Sequence, residues 1–419
     1  MRPVYQAHSS DVDIAALFAE SLMCISPRGL WSLETGKPTG DHTVEAQKVI
    51  ELAMAQPNGR NNPALCHLYI HLMEMSPYPE KALPAADRLR TLVPDGSHML
   101  HMPTHIDMAV GDYRSAIRSN QEAMVADDKY FARESGSALY IAYRVHNICA
   151  KLYAALISGQ FQEAITAADH LEEVVDSKVL SISSPPLADW TESFLGNRAH
   201  VLVRFGRWDD ILRLQLPTDR PLYCATTANI LYAQAIALGV LGRISEAEAA
   251  QKEFEEARAA VPRSRFNSLP CKETSVLEVA SHMLHGELEY RKGNHEAAFA
   301  SLRKAAELED ALPYSDPPPW MQPVRHALGG LLLEQNRVNE AEVVYKEDLG
   351  IAKDFPRRKA RLNNVWSLHG LHECLVRLGK VDEALCIQVP LDIAIASADV
   401  PITTSCYCRT EACSTSANL

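Results

Sequence analysis

The sequence predicts an all-α fold built from antiparallel helical hairpins. A short phrase recurs in which one helix ends at glycine or asparagine, a polar and a bulky residue follow, and the next helix begins. Alanine and leucine are abundant, aromatic residues make up only 7% of the chain, and no strand-like alternation of any length appears. Strong helix formers without a two-residue period favour helices throughout.

The recurring phrase gives the positions of the hairpin turns. Glycine or asparagine is expected there because a helix often ends on a left-handed residue. The predicted turn residues are Gly111, Gly159, Gly206, Gly242, Gly293, Asn336 and Gly379. Five positions later come small residues at Ala116, Ala164, Ala247, Ala298, Ala341 and Ala384. They indicate close helix crossings, and only the Gly206 copy departs, with Ile211 in that place.

These turns and small residues resemble the tetratricopeptide repeat (TPR) over roughly residues 97–396. The intervals exceed the usual period of about 34 residues, which indicates longer helices or loop insertions. The resemblance implies a TPR-like solenoid curled around a concave pocket. It also implies a scaffold role, because TPR arrays mostly bind protein partners.

Composition excludes several classes of function. The net charge of −12 argues against nucleic acid or an anionic membrane as the main partner. No apolar run reaches the length of a membrane span, and residues 1–10 lack the apolar core of a signal peptide. Ten unevenly spaced cysteines do not form a disulfide framework, so a cytoplasmic location is expected.

The hairpins group into three predicted regions. Residues 1–176 form hairpins that carry a histidine cluster, residues 187–396 form further hairpins, and residues 397–419 form an irregular tail. Early helices are expected near 10–25, 43–56, 62–75, 81–93 and 97–110. Linkers rich in proline or serine are expected at 181–186, 262–270 and 315–319.

Histidines on three helices form the candidate site. The first helix, with Asn62 as N-cap and Pro63 at its first position, carries His67, His71 and Glu74 within an arc of about 60°. The second carries a histidine triple within a similarly narrow arc and is expected to kink at Pro103. The third carries one more histidine. The predicted metal ligands are His67, His71, His98, His101, His105 and His146.

The ligand set favours a transition metal. Imidazoles suit copper, zinc, iron or nickel, and six of them suffice for a dinuclear site. With only Glu74 and Asp107 as nearby carboxylates, a copper pair fits better than di-iron, and a single zinc ion is the simpler alternative. Met99 and Met102 flank the triple as thioether ligands for Cu(I) or as core residues. The histidines are alternatively ordinary surface or core residues.

Two phrases resemble a histidine-rich branch of bacterial and fungal TPR-domain proteins. One is H-x-x-x-H-x-x-E-x-S-P-x-P-E-x-A at 67–82, and the other is G-x-H-x-x-H-M-P-x-H-I at 96–106. The resemblance covers nearly the whole chain. It implies that the histidine set belongs to this type of protein, but it implies no activity.

Other residues are weaker candidates. Cys406 and Cys408 are expected either to add thiolates or a redox pair, or to lie in a flexible tail. Trp320 and Arg325 are candidates for holding an anionic or aromatic substrate. Two further pairs of histidines, on later helices, are expected to be structural. These are His282 with His285 and His369 with His372.

Three functions follow from these residues. The first is a metal-dependent oxidoreductase in which copper activates O₂ to oxidise a small organic substrate. Its predicted catalytic or substrate-contacting residues are Glu74, Tyr69, Tyr143 and Arg144. The second is a TPR scaffold that binds a peptide or protein partner through its concave surface. The third, for a single zinc ion, is a hydrolase or hydratase that acts through metal-bound water.

Overall fold

The computed structural model describes residues 1–134 and 136–409, and it confirms the all-α prediction. The helices before residue 135 are Arg2–Ala7, Val12–Met23, Asp41–Met54, Pro63–Met73, Leu83–Leu92, Ser97–His101, Pro103–Val110 and Tyr113–Phe131. Short 3₁₀ turns lie at Pro79–Ala82, Glu192–Gly196 and Arg357–Lys359.

The helices after residue 136 continue the hairpins. They are Ala138–Ser158, Phe161–Val174, Ser177–Leu180, Leu187–Thr191, Asn197–Arg204, Trp208–Leu212, Cys224–Val240, Ile244–Ala260, Glu273–Arg291, His295–Asp310, Val324–Glu334, Val338–Asp348, Val365–Arg377 and Val381–Ile395. Consecutive long helices pack against each other as antiparallel pairs. The architecture is TPR-like.

Every predicted turn residue adopts a left-handed conformation. The φ angles run from 58° at Asn336 to 82° at Gly293. In each copy the bulky residue two positions later begins the next helix, as Tyr113 and Phe161 do. The predicted small residues are buried, with Ala116 and Ala164 both 0% exposed. Sequence therefore places these turns and helix crossings correctly, because both depend on local geometry.

The expectation of a strand-free chain is wrong at one linker. Residues Phe266–Ser268 pair antiparallel with Cys271–Lys272, inside and just after the stretch predicted as a linker at 262–270. Asn267 Nδ2 donates to the buried Glu273 carboxylate, and Ser193 Oγ donates to the carbonyl of Phe266. These side-chain bonds to other segments hold the short ribbon, and they have no periodic signature in sequence.

The chain divides into two compact units. The first comprises Met1–Ser135 with Glu347–Asn363, and the second comprises Gly136–Lys346 with Asn364–Leu419. Residues 347–363 pack with the first unit although they are distant from it in sequence. Tyr113 Oη donates to the carbonyl of Leu362 at 2.9 Å, and Asn363 Nδ2 donates to that of Val110. Of the predicted tail, residues 410–419 lie outside the described residues.

The prediction for Trp320 and Arg325 is wrong. Trp320 is 0% exposed and packs against the rings of His200 and Tyr232 in the second unit. Arg325 makes a bidentate ion pair with Asp310, at 2.9 and 2.8 Å. A buried indole and an arginine already held by a carboxylate are core residues, so neither forms a substrate-binding wall.

The length and hydrophobicity of the helices bear on membrane insertion. Within the described part of the chain, none combines the length and the hydrophobicity that a bilayer crossing requires.

His200 makes the second unit sensitive to acid. Burial lowers the pKa of its imidazole from 6.5 to about 4, and Gln322 Nε2 donates to its Nδ1 at 2.9 Å. Below pH 6.5 the His200 imidazole therefore binds a proton in the unfolded chain, whereas in the folded chain it stays neutral until the pH approaches 4. This contribution to stability is present above pH 6.5 and is lost as the pH falls towards 4.

The His200→Gln chain is expected to lose this acid sensitivity. Between pH 7.5 and 5, the unfolding free energy of the unmodified protein falls by about 2 kcal/mol more than that of the variant. Urea denaturation followed by circular dichroism at both pH values measures the difference. Equal decreases in the two proteins contradict the assignment, whatever the stability of the variant at pH 7.5.

Candidate metal centre

The first histidine-bearing helix is fixed at its start by its own sequence. The Asn62 side chain accepts a hydrogen bond from the Leu65 amide at 3.0 Å, and Pro63 occupies the first helical position, where no amide donor is needed. The helix Pro63–Met73 then carries His67 and His71 one turn apart on the same side. Glu74 follows at its end.

The second set of histidines lies on two short helices. Ser97–His101 ends at the predicted break, and Pro103–Val110 begins immediately after Met102. His98 and His101 belong to the first piece and His105 to the second. His101 and His105 are 0% and 5% exposed, so both rings lie in the interior of the first unit.

The imidazoles approach one another in two pairs. His67 Nε2 lies 3.2 Å from His98 Nε2, and His101 Nε2 lies 3.1 Å from His105 Nε2. His71 joins the first pair, since one ligand nitrogen from each of His67, His71 and His98 lies within 4.8 Å of the others. Five of the six predicted ligands are therefore close neighbours in the first unit.

Glu74 connects the two pairs. Its Oε1 lies 2.9 Å from His71 Nδ1, and its Oε2 lies 2.7 Å from His105 Nδ1. Burial alone raises the pKa of this carboxyl, but the charges of and hydrogen bonds from His105 and His71 outweigh burial and hold the pKa well below its usual value. An ionised carboxylate only accepts hydrogen bonds, so both rings donate from Nδ1.

Asn120 fixes the other ring of the second pair. Its Nδ2 donates to the carbonyl of Ala116 at 2.8 Å and to Thr104 Oγ1 at 2.9 Å, which leaves Oδ1 facing His101 Nδ1 at 2.7 Å. Because the Ala116 carbonyl is an obligatory acceptor, the amide cannot be reversed. His101 therefore also donates from Nδ1.

These hydrogen bonds determine which nitrogens are able to bind a metal. A neutral imidazole that carries its proton on Nδ1 presents a lone pair on Nε2. With Nδ1–H on both rings, the Nε2 atoms of His101 and His105 face each other at 3.1 Å, a contact that a cation between them, either a proton or a metal ion, stabilises. Two nitrogens bound to one zinc-sized ion at about 2.0–2.1 Å lie about 2.9–3.4 Å apart. The observed separation matches that spacing.

The first pair is also suited to hold a cation. Burial, followed by the neighbouring imidazoles, lowers the pKa of His67 to about 3 and that of His98 to about 4. Both rings are therefore neutral near pH 7, which is the protonation state that a metal requires of a histidine ligand.

An open groove on the surface of the first unit reaches His67. It has a volume of about 600 Å³, and His67 and Met99 lie on its wall with Leu17 and Leu68. The carboxylates of Asp13 and Glu20 also line it. A groove of this size, apolar with a few charged groups, suits a small organic molecule.

Two nearby residues pair with groups outside the histidine cluster, and a third is buried. The Tyr69 hydroxyl donates to Glu51 Oε1 at 3.0 Å, on the opposite side of its helix, so it is not brought into the cluster. Asp107 pairs with Arg90 at 2.6 Å and supports the helix Pro103–Val110 instead of adding a ligand. Met102 is 0% exposed, so its thioether is buried in the first unit.

The remaining candidates belong to the second unit. His146, Tyr143 and Arg144 lie on the helix Ala138–Ser158, where Arg144 Nη2 is 3.3 Å from His170 Nε2. Their roles beside the cluster stay predictions. Cys406 and Cys408 form a disulfide with each other within the second unit, so they supply no thiolate.

Sequence reasoning missed Asn120. It lies on the helix Tyr113–Phe131 and is 0% exposed. An asparagine that orients a histidine has no characteristic spacing from it, because the two residues lie on different helices. The one usable signal is a polar residue on the buried side of an otherwise amphipathic helix.

Comparison with known proteins adds little to this description. No family model and no curated protein matches the chain. Among solved structures, the crystal structure of the P58(IPK) TPR domain is similar over 92% of this chain and 98% of that chain, at 13% identity and a TM-score of 0.22. Because so low a score supports no conclusion about function, the TPR-like assignment rests on the hairpins themselves.

Proposed function

We propose that the first unit carries a histidine-ligated transition-metal centre. The observation that supports it is the Nε2–Nε2 separation of 3.1 Å between His101 and His105, where Asn120 and Glu74 direct the ring protons to Nδ1. His67 and His98 lie beside this pair with their Nε2 atoms 3.2 Å apart. A metal ion between the Nε2 atoms of His101 and His105 would bind both lone pairs, and a shared proton is the alternative cation. A structural core has no need of such an arrangement, since apolar side chains fill the same volume at lower cost.

Copper is the proposed metal. The cluster offers at least five imidazoles and a single carboxylate, and that carboxylate is used to orient two of the rings. Nitrogen-rich ligand sets suit copper, whereas di-iron sites require more carboxylates. Zinc and iron are the alternatives. His146 as a sixth ligand stays a prediction from the sequence.

The proposed activity is oxidation of a small organic substrate by O₂. A reduced copper pair held by these histidines would supply O₂ binding and electron transfer, and the groove beside His67 would take the substrate. Glu74 holds the orientation of two ligands and is close enough to exchange a proton with their rings. Tyr143 and Arg144 remain candidates for substrate contact. A single zinc ion would instead favour hydrolysis.

Metal content tests the proposal. Untagged protein incubated with Cu(I) or Zn(II) and then freed of excess metal is expected to retain two metal ions per chain if both histidine pairs bind. His67→Ala and His101→Ala are each expected to remove about one ion, and the double variant to remove both, as measured by mass spectrometry of the elements. Oxygen consumption by the copper-loaded chain, absent in the double variant, is the expected sign of oxidase activity.

His282→Ala combined with His285→Ala provides the matched control. These histidines are also three apart on a helix, Glu273–Arg291, but belong to the second unit. The control is expected to retain its metal. Equal metal content in all variants, or no metal above that of the buffer in the unmodified chain, would contradict a metal centre at these residues.

Binding of a protein partner is the second candidate function, and one surface favours it. On the helix Val381–Ile395, four apolar residues spaced four apart form a continuous row. Val381, Leu385, Val389 and Ile393 are 65%, 64%, 63% and 64% exposed. A row of large exposed apolar side chains often marks a protein-binding surface.

Charge introduced into this row is expected to abolish partner binding. The Leu385→Glu, Val389→Glu chain should lose a protein that the unmodified chain retains in affinity purification, while its metal content stays unchanged. Gln388→Glu, on the same helix, adds charge outside the row and is the control. If the double variant and the control retain the same proteins, this surface is not the binding site.

A further inference from the structure

Residues 399–409 lie against the helices of the second unit as an extended segment. Asp399 begins it and caps the helix Phe161–Val174, since its two carboxylate oxygens accept from the amides of Phe161 at 2.6 Å and Gln162 at 2.8 Å. Tyr407 packs against Gly206 and the ring of Trp366. The segment is therefore bound along its whole length, although it forms no helix or strand.

Ser405 occupies a specific polar pocket. Its carbonyl accepts from Arg204 Nη2 at 2.6 Å, its hydroxyl donates to the carbonyl of His326 at 3.0 Å, and Tyr345 Oη lies 2.5 Å from the same hydroxyl. Ser405 is 1% exposed, and a Cβ added at Gly330 would lie 3.1 Å from its hydroxyl oxygen. The pocket fits a small hydroxyl residue and nothing larger.

Arg409 occupies a second pocket four residues later. Its guanidinium makes a bidentate pair with Glu373, at 2.7 and 3.0 Å, and the two side chains are 6% and 9% exposed. Between the pockets, the carbonyl of Cys408 accepts from Arg291. Bidentate guanidinium–carboxylate pairs are directional and strong when shielded from water, so this pocket selects arginine over lysine.

These contacts have the features of ligand recognition. The helices supply side chains that bind carbonyl groups of the segment, a hydroxyl pocket and an arginine pocket, and these groups come from four hairpins. They are Arg204, Arg291, Tyr345 and Glu373. A cavity of about 30 Å³ remains beside Cys406 and Cys408, enough for one water molecule. The segment thus fills the site that the helices form.

We propose that this surface is a peptide-binding site and that residues 399–409 are its internal, autoinhibitory ligand. The partner that fits is an extended peptide with an unmodified serine four residues before an arginine. Such a peptide binds only after it displaces the chain's own segment, whose effective concentration is in the millimolar range. This inference is independent of the metal centre, which lies in the first unit.

The test uses the full chain and a labelled peptide with the sequence of residues 399–409, oxidised at its two cysteines. Ser405→Ala with Arg409→Ala weakens the internal segment and leaves the pockets intact. Fluorescence anisotropy is expected to show the peptide binding this variant at least about tenfold more tightly than the unmodified chain.

Adding Tyr345→Phe and Glu373→Gln should reverse the gain, and a phosphoserine peptide should not bind. Arg213→Ala, an exposed arginine of the same unit, is the control and should behave as the unmodified chain.

Hydrogen exchange on the same proteins makes each outcome decisive. Faster exchange at 399–409 in the double variant, with the helices still protected and the peptide bound, supports the proposal. Faster exchange without peptide binding overturns it, because the segment would then be an ordinary packed part of the fold. Unchanged exchange also overturns it, because the two pockets would not be what holds the segment. If the double variant misfolds, Arg409→Ala alone provides the same comparison.

Discussion

A buried carboxylate between two imidazoles is the constraint on which the candidate site depends. Glu74 takes one hydrogen bond from His71 and one from His105, so it determines the tautomer of both rings at once. Asn120 does the same for His101, and its own orientation is set by a helix carbonyl. With these protons assigned, the Nε2 atoms of His101 and His105 face each other, and a cation bound between them contacts both lone pairs. The role of the carboxylate is therefore to orient the ligands.

Local sequence explains how the helices bring these groups together. Asn62 and Pro63 start one helix so that His67 and His71 share a side, and Pro103 divides the facing helix between His101 and His105. The ion pair of Arg90 with Asp107 then holds the second piece from behind. Each of these features involves only a few residues. Together they determine the distances between the histidine nitrogens that lie on different helices.

Local patterns were predictable from sequence, and contacts between distant segments were not. The positive φ at Gly111 follows from its place after a helix, and the common side of His67 and His71 follows from helical periodicity. By contrast, no sequence pattern predicts that residues 347–363 pack with the first unit, or that Asn120 contacts His101. Tyr69 was predicted beside the histidines through sequence adjacency alone, and a helix turns adjacent residues to different sides.

X-ray absorption at the copper edge of the loaded, unmodified protein tests the central claim most directly. The account predicts nitrogen neighbours at about 2.0 Å, together with the outer-shell scattering of several imidazole rings. The outer-shell signal should weaken in the His67→Ala and His101→Ala chains. Neighbours that are only oxygen or sulfur, without imidazole scattering, would contradict the account, since copper would then be bound somewhere other than between these histidines.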